Sequence, residues 1–186
     1  MPPRSPYATR ARHPDAVLAM AGGVATGADL TRVLGQGADG AMAGTVFVPA
    51  VESAAHPYYK QRVVDASAND TVVTTRFDIG WPARPHRVLH NARTGTVPRH
   101  PATFIATTGA GGGRFPVPRY SAAVPVTGTV GRIEEMAMYC GRSCARVAGQ
   151  HPAAVLVERF RRPHEAAGRT HVTSTEGGPW KKRSSR

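Results

Sequence analysis

The sequence predicts an α/β protein: the C-terminal portion of a TIM-type (β/α)8 barrel, about its last two βα units, with part of a smaller α/β domain. Three observations predict it. Two short apolar runs, Asp15–Ala21 and Ala38–Ala43, lack polar alternation, as strands covered on both faces do. Each ends in a glycine-bearing bend, Gly22-Gly23 and Gly44-Thr45. One stretch of helical periodicity separates them, giving the strand–loop–helix–strand order that parallel pairing requires. The chain has 186 residues. A complete barrel typically takes about 250 and at least about 200, so the barrel is expected to be incomplete.

Residues 1–14 read as an irregular leader, rich in Pro and Arg and without the apolar centre of a secretory signal. Residues 15–56 hold the barrel unit. Thr26-Gly27-Ala28-Asp29 opens its helix, Leu30, Val33 and Leu34 recur at helical spacing, and Gly35 and Gly37 close it. Residues 57–130 form the smaller domain, with a helix expected over Pro57–Ala68 and a β-branched strand over Asp70–Phe77. Residues 92–129 are Gly-, Pro- and Thr-rich, and the run Gly109–Gly113 reads as a flexible loop. Residues 131–167 are expected to be two helices, Ile133–Val147 and Pro152–Arg161, packing back on the barrel. Residues 168–186 read as a disordered basic tail.

Lys and Arg number 24 against 12 acidic residues, a net charge of +12, which invites a nucleic-acid partner. The basic residues are scattered, however, except for Lys181–Arg186, and aromatics make up only 6%, so base-stacking platforms are scarce. The composition equally suits small anionic ligands. No apolar run reaches the roughly 18 residues of a membrane span. Cys140 and Cys144, four residues apart, support neither a disulfide framework nor a four-ligand zinc site. They read as buried helix residues in a reduced, cytoplasmic protein, and no metal ligands are assigned.

The chemistry is expected at the two glycine bends. In a parallel β/α barrel both lie at the C-terminal ends of neighbouring strands, the active-site face. Glycine lets backbone N–H groups approach an anion closely, a following helix adds unpaired N–H groups and its positive dipole end, and Thr45 adds a hydroxyl. Phosphate sites of barrels often use the loops after the last two strands. His56, at a helix start, and Arg93, Arg99 and His100, in a solvated loop, have no assigned catalytic role.

The segments Ala21-Gly22-Gly23-Val24-Ala25-Thr26-Gly27 and Leu34-Gly35-Gln36-Gly37-Ala38-Asp39-Gly40-Ala41-Met42-Ala43-Gly44-Thr45 resemble the FMN-phosphate region of nitronate monooxygenases, once called 2-nitropropane dioxygenases. Other flavin barrels and inosine monophosphate dehydrogenases share that pattern. The next stretch discriminates: Glu52-Ser53, His56-Pro57-Tyr58-Tyr59-Lys60, Asp70–Thr74, Pro82-Ala83-Arg84 and Asn91 keep the family's order and spacing. Tyr139–Ser143 is similar to a family loop that returns toward the flavin phosphate, with Arg142 where Gln is common. Good resemblance covers roughly residues 15–91, and looser resemblance residues 133–160.

The resemblance implies an FMN-dependent oxidoreductase that converts alkyl nitronates and O2 into a carbonyl compound and nitrite. It implies FMN contacts from Gly22, Gly23, Met42, Ala43, Gly44 and Thr45, with Ser143 as a further phosphate candidate. Met42 stands where the family has Gln, which removes a side-chain amide. The family's catalytic base is a His in a Gly-Gly-His sequence; none occurs here, so no catalytic residue is assigned. The expectation is a truncated product, or one that assembles with the missing part, binding FMN weakly or not at all alone. The implied partners are a nitronate and O2, with no membrane, and the oligomeric state is left open. The alternatives are another phosphate-gripping barrel, such as an inosine monophosphate dehydrogenase-like protein, or a basic nucleic-acid-binding protein.

Overall fold

The structure, a computed structural model, describes residues 6–95, 103–110 and 112–166. The barrel unit consists of strand β1 (Ala19–Ala21), helix α2 (Gly27–Gly35) and strand β2 (Gly40–Met42), preceded by helix α1 (Pro6–Arg12). Residues 6–12 of the leader are therefore helical where an irregular start was expected. Its Arg10 pairs with Asp39, whose carboxylate also accepts the Leu18 N–H at 2.7 Å, so α1 is tied to the entrances of both strands. β1 and β2 pair in parallel, Ala19 with Gly40, Met20 with Ala41 and Ala21 with Met42.

After this unit come helix α3 (Pro57–Asp65), strands β3 (Thr71–Thr74) and β4 (His86–Leu89), and strands β5 (Phe104–Ala110), β6 (Gly113–Pro118) and β7 (Val130–Gly131). β3 and β4 are antiparallel, and β5 sits between β6 and β7. The stretch expected as a flexible loop is thus the tip of the β5–β6 hairpin, with Ala110 opposite Gly113 and Gly112 at φ +83°. Gly131 is required by crowding as well as by its φ of +126°: a Cβ there would lie 2.5 Å from the Ile105 carbonyl oxygen and 2.7 Å from Ala106 Cα.

The helix expected over Ile133–Val147 does not form. Two short 3-10 turns, Ile133–Glu135 and Arg142–Arg146, flank an extended segment that runs along β4. Leu89 N–H donates to Met138 O at 2.8 Å and Cys140 N–H to Arg87 O at 3.1 Å. Met136, Ala137, Met138 and Cys140 are all buried, and a short run covered on both sides has no periodicity to separate strand from helix. Cys140 and Cys144 are free and buried, as expected, but Cys140 sits in the extended segment and Cys144 in the second 3-10 turn. Both belong to one core cluster, with Tyr59 and Val63 of α3, Leu89 and Met138. Burial pushes the Cys140 thiol far above its ordinary range.

Arg93 also departs from expectation. It is not in a solvated loop but forms a bidentate pair with Glu135, both contacts at 2.9 Å, and Arg119 and Arg132 reach the same carboxylate at 3.1 and 3.3 Å. Arg99, His100 and the basic tail lie outside the described residues. Helix α4 (Ala153–Ala166) packs on α2, and Phe160 stacks on Phe47 with ring centroids 6.2 Å apart. Among the described residues no closed barrel forms, no helix is long and apolar enough to cross a membrane, and no acidic, His or Cys cluster is placed to hold a metal.

Candidate phosphate-binding mouth

Register places the candidate residues together. Because Ala21 pairs with Met42 in a parallel ladder, Gly22-Gly23 and Ala43-Gly44-Thr45 leave the sheet side by side from the same, C-terminal end. Gly22 and Gly23 have φ of +94° and +73°, where other residues lose roughly 1–2 kcal/mol each. Gly44 has an ordinary φ of −107°, and a Cβ on it would meet nothing within 4 Å. Conformation therefore requires glycine in the first bend, while at Gly44 its only local effect is to leave the backbone bare. The N–H groups of Gly23 and Gly44 take no hydrogen-bond partner among the described residues. Met42 is 63% exposed at the end of its strand.

The start of α2 differs from the expected row of unpaired donors. Thr26 and Asp29 form a reciprocal capping box. One Asp29 oxygen accepts the N–H groups of Ala25 and Thr26 and the Thr26 hydroxyl, each at 3.0 Å, and the Thr26 hydroxyl accepts the Asp29 N–H at 3.2 Å. Burial raises the Asp29 carboxyl, but these bonds and the Arg146 guanidinium outweigh it and hold the group below the usual carboxylate range. Part of the dipole end is thus already met by a carboxylate.

Thr45 is held by the loop after the extended segment. Gly141 N–H donates to Thr45 Oγ1 at 2.9 Å, so the hydroxyl keeps its own hydrogen to donate. A Cβ on Gly141 would come within 3.2 Å of that oxygen and 3.5 Å of Ser143 Oγ, which places the buried Ser143 beside Thr45. Arg142 is exposed. The fit to a phosphate is therefore concrete: two bare bends, free N–H groups on each, and a threonine hydroxyl, on adjacent strands.

Two contributors escaped the sequence reading. Asp29 was legible as a capping residue, three positions after Thr26, but not as a buried charge. Arg146 lies 123 residues beyond Gly23 and no spacing rule links it to the bends, whereas Gly141 belongs to the Tyr139–Ser143 loop that the resemblance brings toward the phosphate. Arg146 donates to Asp29 Oδ1 at 2.9 Å and to Gly23 O at 2.6 Å. Beside it a cavity of about 430 Å³ opens between α2 and α4, lined by Thr26, Gly27, Val46, Leu156, Arg159 and Phe160.

The stretch that continues the resemblance does structural work around this mouth. Glu52 accepts the N–H of Ala153, the first residue of α4, at 2.8 Å. Lys60 is buried and its ammonium donates to Ala50 O at 2.7 Å. His56 caps α3, its Nδ1 accepting Tyr58 N–H at 3.1 Å. Asn91 bridges Met136 O and Arg93 N–H, and Arg84 is exposed.

Comparison with known proteins follows the same lines. The family model described as nitronate monooxygenase matches residues 14–161. No curated protein gives a significant match. Among solved structures, a nitroalkane oxidase from Streptomyces ansochromogenes shares 26% identity and a TM-score of 0.54 over 82% of this chain and 40% of its own. A FabK mutant from Thermotoga maritima gives 25% identity and a TM-score of 0.55, over 80% of this chain and 41% of that one. FabK itself, at 21% identity, gives a TM-score of 0.61 over 88% and 48%. The chain thus spans less than half the length of the structures it matches, and the βαβ unit is part of the barrel they carry. With its model matched over most of the sequence, the chain belongs to the nitronate monooxygenase family.

Proposed function

We propose that the β1–β2 mouth grips the phosphate of FMN, and that the chain is the phosphate-binding part of an FMN-dependent oxidoreductase. The reaction this reading assigns is oxidation of an alkyl nitronate by O2 to a carbonyl compound and nitrite. The observation that carries it is the parallel register of β1 and β2, which brings the Gly22-Gly23 and Ala43-Thr45 bends side by side at one end. Gly22, Gly23, Ala43 and Gly44 offer backbone, Thr45 offers its hydroxyl, and Met42 offers an apolar wall. The family membership supports the cofactor, and the nitroalkane oxidase among the similar structures supports the substrate class.

FMN when bound would supply the electron chemistry; the protein's share is to bind and orient it. This chain's own part is anion recognition: N–H dipoles aimed at a dianion, with no side-chain base assigned, since the sequence lacks Gly-Gly-His. Flavin fluorescence titration tests the reading. FMN should bind more tightly than riboflavin, which has the same ring system and no phosphate. Equal affinity for the two would contradict a phosphate grip. A nitrite-release assay with 2-nitropropane anion tests the activity separately.

A further inference from the structure

The geometry points to Arg146 as a positioning residue for the first phosphate-gripping bend, an inference that rests on the FMN reading above. Arg146 closes the 3-10 turn Arg142–Arg146 and comes to the bend from 123 residues away in sequence. Its guanidinium makes two directed contacts, Nη2 to the Gly23 carbonyl at 2.6 Å and Nη1 to Asp29 Oδ1 at 2.9 Å. Arg32 also faces that oxygen, but at 3.7 Å, well beyond the 2.9 Å of the Arg146 contact.

Each contact has a consequence for an anion at the mouth. The peptide between Gly23 and Val24 is planar and trans, so its C=O and N–H point in opposite directions. Holding the Gly23 oxygen on Arg146 therefore fixes the Val24 N–H pointing the other way. Gly23 sits at φ +73°, and a charge-assisted bond to its carbonyl restrains the bend. The second contact is electrostatic. Asp29 is buried, ionised and built into the capping box at the start of α2, where alone it would repel a phosphate. Arg146 offsets that charge and returns the helix start to a net positive end. Arg146 thus supplies both the shape of the bend and the sign of its field without touching the ligand.

Three variants separate these roles. In the ligand-free chain, Arg146→Met should speed amide hydrogen exchange at Val24, Ala25 and Thr26 by about tenfold or more, the scale of one hydrogen bond to a charged group. Exchange in β4 should stay unchanged, which reports an intact fold. Arg146→Met should also weaken FMN by about tenfold while leaving riboflavin unaffected. Arg146→Lys should restore part of the FMN affinity. Adding Asp29→Asn to Arg146→Met should likewise recover FMN affinity by removing the uncompensated charge, which a merely structural arginine would not predict. Unchanged exchange at residues 24–26 in Arg146→Met overturns the inference, whatever flavin does. Equal binding of FMN and riboflavin by the parent chain instead overturns the phosphate reading and leaves the exchange result to decide the positioning role.

Discussion

At the scale of single residues, the two glycine bends separate conformation from recognition. Gly23→Ala should destabilise the chain by roughly 1–2 kcal/mol, because its φ of +73° suits only glycine, and should also weaken FMN. Gly44→Ala should leave the unfolding temperature unchanged, since φ is ordinary and the Cβ meets nothing, yet still weaken FMN by covering bare backbone. Thermal unfolding and flavin titration on the pair check this; loss of stability without loss of FMN affinity at Gly44 would contradict it. The glycines were legible because each follows an apolar run. Arg146 was not, because a distant charge acquires meaning only once the chain has folded. Glu135 belongs to the same class: it gathers Arg93, Arg119 and Arg132 from three segments. The Arg93 bond foremost holds its carboxyl below the ordinary range. The unfolded chain therefore takes up that proton at a higher pH than the folded one, and stability present above about pH 4.3 is lost as pH falls toward the depressed folded value. Glu135→Gln should cost about 3–5 kcal/mol at neutral pH by removing the buried carboxylate that Arg93, Arg119 and Arg132 share, and should flatten the acid limb of the stability curve. Urea midpoints between pH 3 and 7 measure both. His86 makes the opposite case. It is buried against Trp81, at 5.5 Å, and Tyr139, at 5.2 Å, with neither ring nitrogen hydrogen-bonded among the described residues. His86→Phe should leave the unfolding temperature level or raise it, because it removes polar atoms that lack partners; a marked fall would show that the imidazole is satisfied.

At the scale of elements, long or punctuated segments were readable and short buried ones were not. α2 formed where Thr26 and Asp29 cap it and Gly35 and Gly37 end it, and β1 and β2 lie inside the two apolar runs. α3 begins at Pro57 as expected, though it ends at Asp65 rather than Ala68. The extended segment Met136–Cys140 read as helix because tertiary cover on both sides erases the alternation that marks a strand. The β5–β6 hairpin read as loop because its composition is dominated by Gly, Thr and Pro, and its pairing is set by partners rather than by propensity. The segment's position beside β4 is testable. Leu89 is fully buried between α3 and Met138, so Leu89→Ala should cost about 2–5 kcal/mol in urea unfolding. A cost below about 1 kcal/mol would mean that this core is not packed as described.

At the scale of the whole molecule, β1 and β2 pair only with each other among the described residues, and two strands cannot close a barrel. The matched structures are more than twice as long as the part this chain covers. The mouth is consequently open: Gly22, Gly23, Met42 and Gly44 are all exposed. An anion held there gains N–H dipoles but little exclusion of water, so the isolated chain should bind FMN weakly, and a method that tolerates weak binding is required. Amide chemical-shift mapping on the isotope-labelled chain, titrated with FMN and then with riboflavin, shows where and through which group a flavin binds. FMN should move the amides of Gly23, Val24, Gly44 and Thr45, and riboflavin should not. Shifts confined to other parts of the chain, or identical shifts with both flavins, would contradict a phosphate grip at this mouth.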